Sequence, residues 1–305
     1  MNSELEYLLA GDPAIRWQTM RDLLDASPGE WIGEREKVGY EGWGARFLAT
    51  RESDGTWPPN RWKGGTWTLV ILADLGLQQD AADLRPAFER VVHGLIPKGQ
   101  PVSQELLLTD MDLCHMGFWL TAGAQFLPDD ERLKPLAETL LSQQFPDGGW
   151  NCRSRTVKGV SHSSFHTTFN VLEGLRRAAD AGIIAPSRFD AVEARAMEFM
   201  LEHRMYRSDK TGEIIHERFL DLTNPPYWHY NVLRGLDYMR LTPAITDPRL
   251  NDALDYIESR RKPTGRWPVE KRIPGDVHFD MEKMGQDSRW NTLRALRVLK
   301  SARRG

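Results

Sequence analysis

Three things are scarce in this chain of 305 residues. Cysteine occurs twice, as Cys114 and Cys152, so no disulfide framework organises the fold. An excess of either charge is lacking too: 40 basic residues face 43 acidic ones, interspersed, for a formal net charge of −3. That balance leaves no basic footprint for nucleic acid. The clusters at 260–262 and 303–304 read as solvated helix ends. Long apolar runs are missing, which excludes a membrane-spanning helix, and the first residues, MNSELEYLLAGD, lack the basic-then-apolar order of an export signal. The expectation is a cytoplasmic protein whose two thiols are reduced.

Internal similarity is plentiful. Arg16-Trp17-Gln18-Thr19-Met20-Arg21 near one end resembles Arg289-Trp290-Asn291-Thr292-Leu293-Arg294 near the other. Related segments begin at Trp67, Cys114, Phe169 and Tyr230, so the six markers lie 47 to 61 residues apart. Each opens a strongly apolar helix. Each is preceded by a more amphipathic one, expected near 34–50, 81–96, 130–144, 188–204 and 248–261, with a short opening helix at 3–9. Repetition at this period indicates stacked helical hairpins. The fold class expected is all-α: a single α/α toroid domain over 1–305, with six hairpins in an inner and an outer ring. The links from outer to inner helices, 51–66, 97–109, 145–161, 205–227 and 262–287, are long. Such loops mark a working face.

The densest stretch runs from Phe145 to Leu175. Gly148-Gly149 makes a turn with Trp150 packed behind it. Cys152 follows in a polar, basic loop, and a helix is expected to open near Ser161 or Ser163. His162, His166 and Asn170 then share one helical face, and Gly174 allows a second backbone to come close.

These segments carry a resemblance. Gln144-Phe145-Pro146-Asp147-Gly148-Gly149-Trp150 fits the Q-x3-G-x-W repeat of squalene cyclases and protein prenyltransferase β subunits, and 51–57 and 261–267 fit it except at the first residue. Asp112-Leu113-Cys114-His115-Met116-Gly117-Phe118-Trp119 resembles the D-x-C-Y-x-F-W segment of prenyltransferase β subunits. Phe165-His166-Thr167-Thr168-Phe169 resembles their Y-H-T-x-Y segment. The resemblance implies the toroid fold and a zinc ion held by Asp112, Cys114 and His166. Cys152 would be a possible fourth ligand that closes the site. Carboxylate, thiolate and imidazole are ordinary zinc ligands. Taken singly, each has a plainer role: Asp110 or Asp112 as a helix cap, Cys114 as a small buried hydrophobe, His166 as a satisfied polar residue. Where the prenyltransferases carry an Arg and a Lys upstream of this segment, the chain has Leu106 and Thr109.

Two functions follow as expectations. One is a zinc-dependent transferase or cyclase-like enzyme acting on a hydrophobic, isoprenoid-like, thiol or carbonyl substrate in a central cavity. The other is a non-catalytic toroid that binds a lipid, peptide or protein and carries a structural zinc. Pocket candidates are His115, His162, Trp62, Tyr227, Trp228, His229 and Asp287; Trp67 and Trp290 read as packing.

Overall fold

The computed structural model describes residues 3–60, 62–93, 96 and 101–302, with the backbone alone at 110, 154 and 155. The 303–304 cluster, residues 97–100 and the side chain of Asp110 lie outside the described residues. The chain is predominantly α-helical. In order the helices are α1 (Ser3–Leu9), α2 (Pro13–Asp22), α3 (Pro28–Glu36), α4 (Gly42–Leu48), α5 (Gly65–Leu75), α6 (Arg85–His93), α7 (Gln104–Asp110), α8 (Leu113–Phe126), α9 (Leu133–Ser142), α10 (Phe165–Asp180), α11 (Pro186–Glu202), α12 (Val232–Met239), α13 (Asn251–Ser259) and α14 (Arg289–Ala302). Two residues at Trp267–Pro268 pair antiparallel with Asp287–Ser288. No described helix is long and apolar enough to cross a membrane.

The chain divides into two compact units, Met1–Arg46 with Met200–Gly305, and Phe47–Phe199. In the second, α5 and α8 are the apolar helices, while α6, α9 and α10 are amphipathic, α10 being buried along most of its length although the sequence reads it as strongly apolar. Helices α8 and α10 meet at glycines. A Cβ on Gly117 would lie 2.3 Å from the Asn170 carbonyl oxygen, and one on Gly174 would lie 2.5 Å from the Gly117 carbonyl oxygen. Only hydrogen fits there, so Gly174 does what the sequence suggests, with Gly117 as its partner.

The glycine–tryptophan turn recurs three times with the same bonding. Phe145 N–H donates to the Gly149 carbonyl, Glu52 N–H to Thr56 and Lys262 N–H to Arg266, each at 2.8 Å. The glycine inside each turn has a positive φ: 80° at Gly55, 100° at Gly148 and 78° at Gly265. The tryptophan behind it is fully buried, and its indole N–H reaches back into the preceding helix. Trp150 donates to the Leu140 carbonyl and Trp267 to the Ile257 carbonyl, both at 2.7 Å, while Trp57 donates to the Thr50 hydroxyl at 3.0 Å. Gln144 clamps its turn from the helix end, donating to the carbonyls of Gly148 at 2.6 Å and Val192 at 2.7 Å. Arg261 takes the same place before Gly265, donating to its carbonyl at 3.1 Å. The backbone after the turn is then tied to the next helix: Trp150 N–H to Thr168 Oγ1 and Trp267 N–H to Thr292 Oγ1.

Those two threonines correct the internal alignment. Thr168 and Thr292 each lie four residues after their helix cap, Ser164 and Ser288. The sequence match that pairs Phe169 with Trp290 is therefore offset by three residues. The cap also corrects the start of α10: it is Ser164, which leaves His162 outside the helix instead of on one face with His166. Helix α7 falls inside a segment the sequence reads as loop.

In the first unit α1 and α2 pack against α14. A nearly buried charge cluster joins α2, α12 and α14. Asp237 pairs with Arg297, and Arg240 Nε donates to it at 2.8 Å. Arg297 also bonds Gln18 Oε1 at 2.9 Å and Asp22 Oδ2 at 3.1 Å. Burial raises the Asp237 carboxyl, but the three surrounding guanidinium groups outweigh it and hold the pKa at about 2.

Candidate functional site

The two cysteines come together, although 38 residues separate them. Cys114 is the second residue of α8, and Cys152 opens a short 3-10 turn behind the Gly148–Trp150 turn. The amide of Cys114 donates to the sulfur of Cys152 at 3.2 Å. The hydroxyl of Thr167, in the first turn of α10, donates to the same sulfur at 3.4 Å, accepts from the Cys152 amide at 3.3 Å and lies 3.9 Å from the Cys114 sulfur. The Cys152 sulfur thus caps the amino end of α8, where the helix dipole favours a negative group. Asp112 sits at the cap position, yet its side chain makes no capping bond. Both thiols are partly exposed and free. Hydrogen bonding from Cys114 lowers the Cys152 pKa to about 7 against the opposing effect of burial, and Thr167 adds to the lowering. The Cys114 thiol, which supplies that bond and is itself largely desolvated, is pushed far up.

This arrangement overturns the zinc expectation. Among the described residues no group of three His, Cys, Asp or Glu side chains is placed to hold a metal ion. The reason is helical geometry. Thr167 is the α10 side chain that bonds the Cys152 sulfur, and adjacent residues on a helix point about 100° apart, which gives His166 a different direction from the helix axis. Asp112 is 52% exposed and turns toward His115, its Oδ2 4.0 Å from Nδ1. Asp112, Cys114, Cys152 and His166 therefore do not form a coordination set. With it go the zinc cofactor and the reading as a zinc-dependent transferase or cyclase-like enzyme.

The same unit holds a cleft of 380 Å³. Its walls are the Trp57-Pro58-Pro59 segment and the start of α5 up to Trp67, with Val91 and Arg90 of α6 and His115 of α8. Arg90 is already engaged, its Nη1 donating to Thr56 at 2.7 Å and Glu52 at 3.1 Å. The two indoles and two prolines share the lining with Asn60, Thr66, Arg90 and His115. Of the expected pocket residues, His115 lines this cleft. Trp62 is buried against Trp67, with ring centroids 5.4 Å apart, and packs that wall from within. His162 is exposed, and its carbonyl accepts from Asn151.

The other four candidates lie in the first unit. Trp228 stacks on His229, centroids 3.8 Å apart, and Tyr227 is buried, which pushes its phenol up to about 12. Asp287 is ion-paired: Lys262 lies 2.5 Å away and Arg266 3.4 Å, and its carbonyl accepts from Tyr7 at 2.9 Å. Two participants are missing from the sequence reading. Thr167 is the hydroxyl between the thiols, one residue past the histidine that draws attention. Trp57-Pro58-Pro59 forms part of the cleft wall, and its signal is a rigid aromatic–prolyl segment two residues after the positive-φ Gly55.

No protein-family model matches the chain, and no curated protein matches it.

Proposed function

We propose that this chain is a non-catalytic binding protein built on the α/α-toroid plan, and that it takes a neutral, largely apolar ligand in the Trp57–Trp67 cleft. The plan is supported by the six related helix starts and by the alternation of the apolar α5 and α8 with the amphipathic α6 and α9. The cleft carries the ligand reading. Its 380 Å³ falls within the range of small-molecule sites, and two indoles and two prolines give it a stiff apolar wall. The ion pairs of Arg90 leave it with little charge to offer an anion, so the ligand is expected to be uncharged.

The neutral fluorophore N-phenyl-1-naphthylamine tests this. It should bind the full chain with enhanced emission and at one site. Val91→Trp, which fills the cleft from a half-buried position, should abolish that binding while the far-UV circular dichroism stays unchanged. Binding that survives Val91→Trp, or no binding at all, overturns the assignment. Small-angle scattering of the full chain tests the toroid plan separately, because an elongated particle is incompatible with it.

A further inference from the structure

We infer that Cys114 and Cys152 form a thiol–disulfide exchange site, with Cys152 as the attacking sulfur and Cys114 as the resolving one. The site is independent of the cleft. Its basis is geometric. The Cys152 sulfur accepts from the Cys114 amide at 3.2 Å and from the Thr167 hydroxyl at 3.4 Å. Two donors and the amino end of a 14-residue helix therefore surround one sulfur, the setting that stabilises a thiolate. A sulfur that accepts from the Cys114 amide lies within reach of the thiol carried by the same residue. Thr167, within 3.9 Å of the second sulfur, spans both. The two sulfurs are partly exposed, so a small disulfide can approach.

The oxidant class is a low-molecular-weight disulfide such as oxidised glutathione. The Cys152 thiolate attacks one glutathione sulfur. The glutathione S–S bond breaks, one glutathione leaves as thiolate, and a Cys152–glutathione disulfide forms. Cys152 is then neutral, so the charge that had kept the Cys114 proton in place is gone. Cys114 gives up that proton to solvent and attacks the Cys152 sulfur. The second glutathione leaves as thiolate and takes up a proton. Counted from the Cys152 thiolate, the chain has lost two electrons and one proton; the glutathione disulfide has taken the two electrons, and its first thiolate draws a further proton from solvent to give two thiols.

In the product the Cys152 sulfur can no longer act as an anionic cap on α8. The disulfide ties the start of α8 to the loop before α10, and Thr167 loses the thiolate it donated to. The oxidised form therefore differs from the reduced form where these two helices begin.

The test uses the full reduced chain with oxidised glutathione, sampled over time by intact mass and peptide mapping. The first adduct should fall on Cys152, about tenfold faster than on Cys114, in line with the difference in thiolate character. It should then give way to a Cys114–Cys152 disulfide free of glutathione. Cys114→Ser should stop at the Cys152 adduct. Thr167→Val should slow the first step and still close the disulfide. A first adduct on Cys114, or wild-type adducts that never close, overturns the inference. If Cys114→Ser loses helix content, a brief pulse of N-ethylmaleimide on the wild-type chain decides the order. Cys152 labelled first supports the assignment, and Cys114 labelled first or equally refutes it.

Discussion

Replacing Gly117 with alanine adds one methyl group to the middle of α8, and two opposing effects follow. Alanine is the better helix former by about 1 kcal/mol. The new Cβ, however, would stand 2.3 Å from the Asn170 carbonyl oxygen of α10, about an ångström inside normal contact. That oxygen belongs to backbone and cannot swing away, so the two helices must separate. Overpacking of this kind costs about 1–3 kcal/mol, and a backbone obstacle puts it toward the upper end. The net expectation is a loss of about 2 kcal/mol, which lowers the melting temperature by about 4–8 °C in a unit of this size. Gly33, in the middle of α3, provides the opposite case. No atom lies within 4 Å of a Cβ built there, so Gly33→Ala should gain about 1 kcal/mol. Urea titration followed by circular dichroism measures both. Gly174→Ala should also destabilise, and the double variant with Gly117→Ala should lose less than the sum, because one helix separation relieves both clashes. A Gly117→Ala chain more stable than wild type would refute the close-packing argument.

Further outcomes are expected from the same structure. Trp150→Ala should lower stability by about 3–5 kcal/mol, since the indole is wholly buried and bonded to Leu140; an unchanged urea midpoint would contradict its place under the turn. Asp237→Asn should cost about 3–5 kcal/mol by leaving buried guanidinium groups without their anion, measured in the same titration. Because the folded Asp237 carboxyl sits at about 2, below its ordinary 3.8, its stabilising contribution is fully present above pH ~4 and is lost as pH falls through about 2; the wild-type acid-unfolding curve should show that loss and the Asp237→Asn curve should not. Alkylation of Cys152 by iodoacetamide should rise with an inflection near pH 7, the value its hydrogen bonds impose, and an inflection near 8.5, as for a free thiol, would count against the shared proton. Deleting residues 1–27 removes Gln18 and Asp22 from Arg297 and should unfold the unit they belong to; a deletion product that retains its cooperative transition would show that α1 and α2 are dispensable.

The sequence reveals the helices well because burial dictates them. The opening helix is predicted residue for residue, and α5 and α8 fall where apolar runs begin. The glycine–tryptophan turns are legible for the same local reason: a positive φ and a buried indole leave a recognisable spacing. The site is less legible. Nearness of Cys114 and Cys152 follows from repeat position, but which neighbour faces them depends on one residue of helical phase. His166 and Thr167 differ by about 100° around α10, and the start of that helix is set by Ser164, not by Ser161 or Ser163. A cap displaced by one residue decides whether an imidazole or a hydroxyl meets the sulfurs. Tyr227, Trp228, His229 and Asp287 share a candidate set with His115, His162 and Trp62, and the structure divides that set between two units.

The order in which the ribosome delivers these pieces gives the charge cluster around Arg297 a further meaning. Phe47–Phe199 is continuous in the chain, whereas its companion unit begins with Met1–Arg46 and resumes only at Met200. Gln18 and Asp22 leave the ribosome early, and the arginine that completes them arrives some 275 residues later. At ordinary rates of synthesis that wait is on the order of tens of seconds. During it α2 is a segment without its α14 partner, open to chaperones and proteases. The continuous unit is complete in sequence before Met200 is made, whereas the early helices gain their partner only when α14 emerges. A nascent chain stalled before residue 289 should therefore be cut readily between residues 1 and 46 and resist cleavage between 47 and 199.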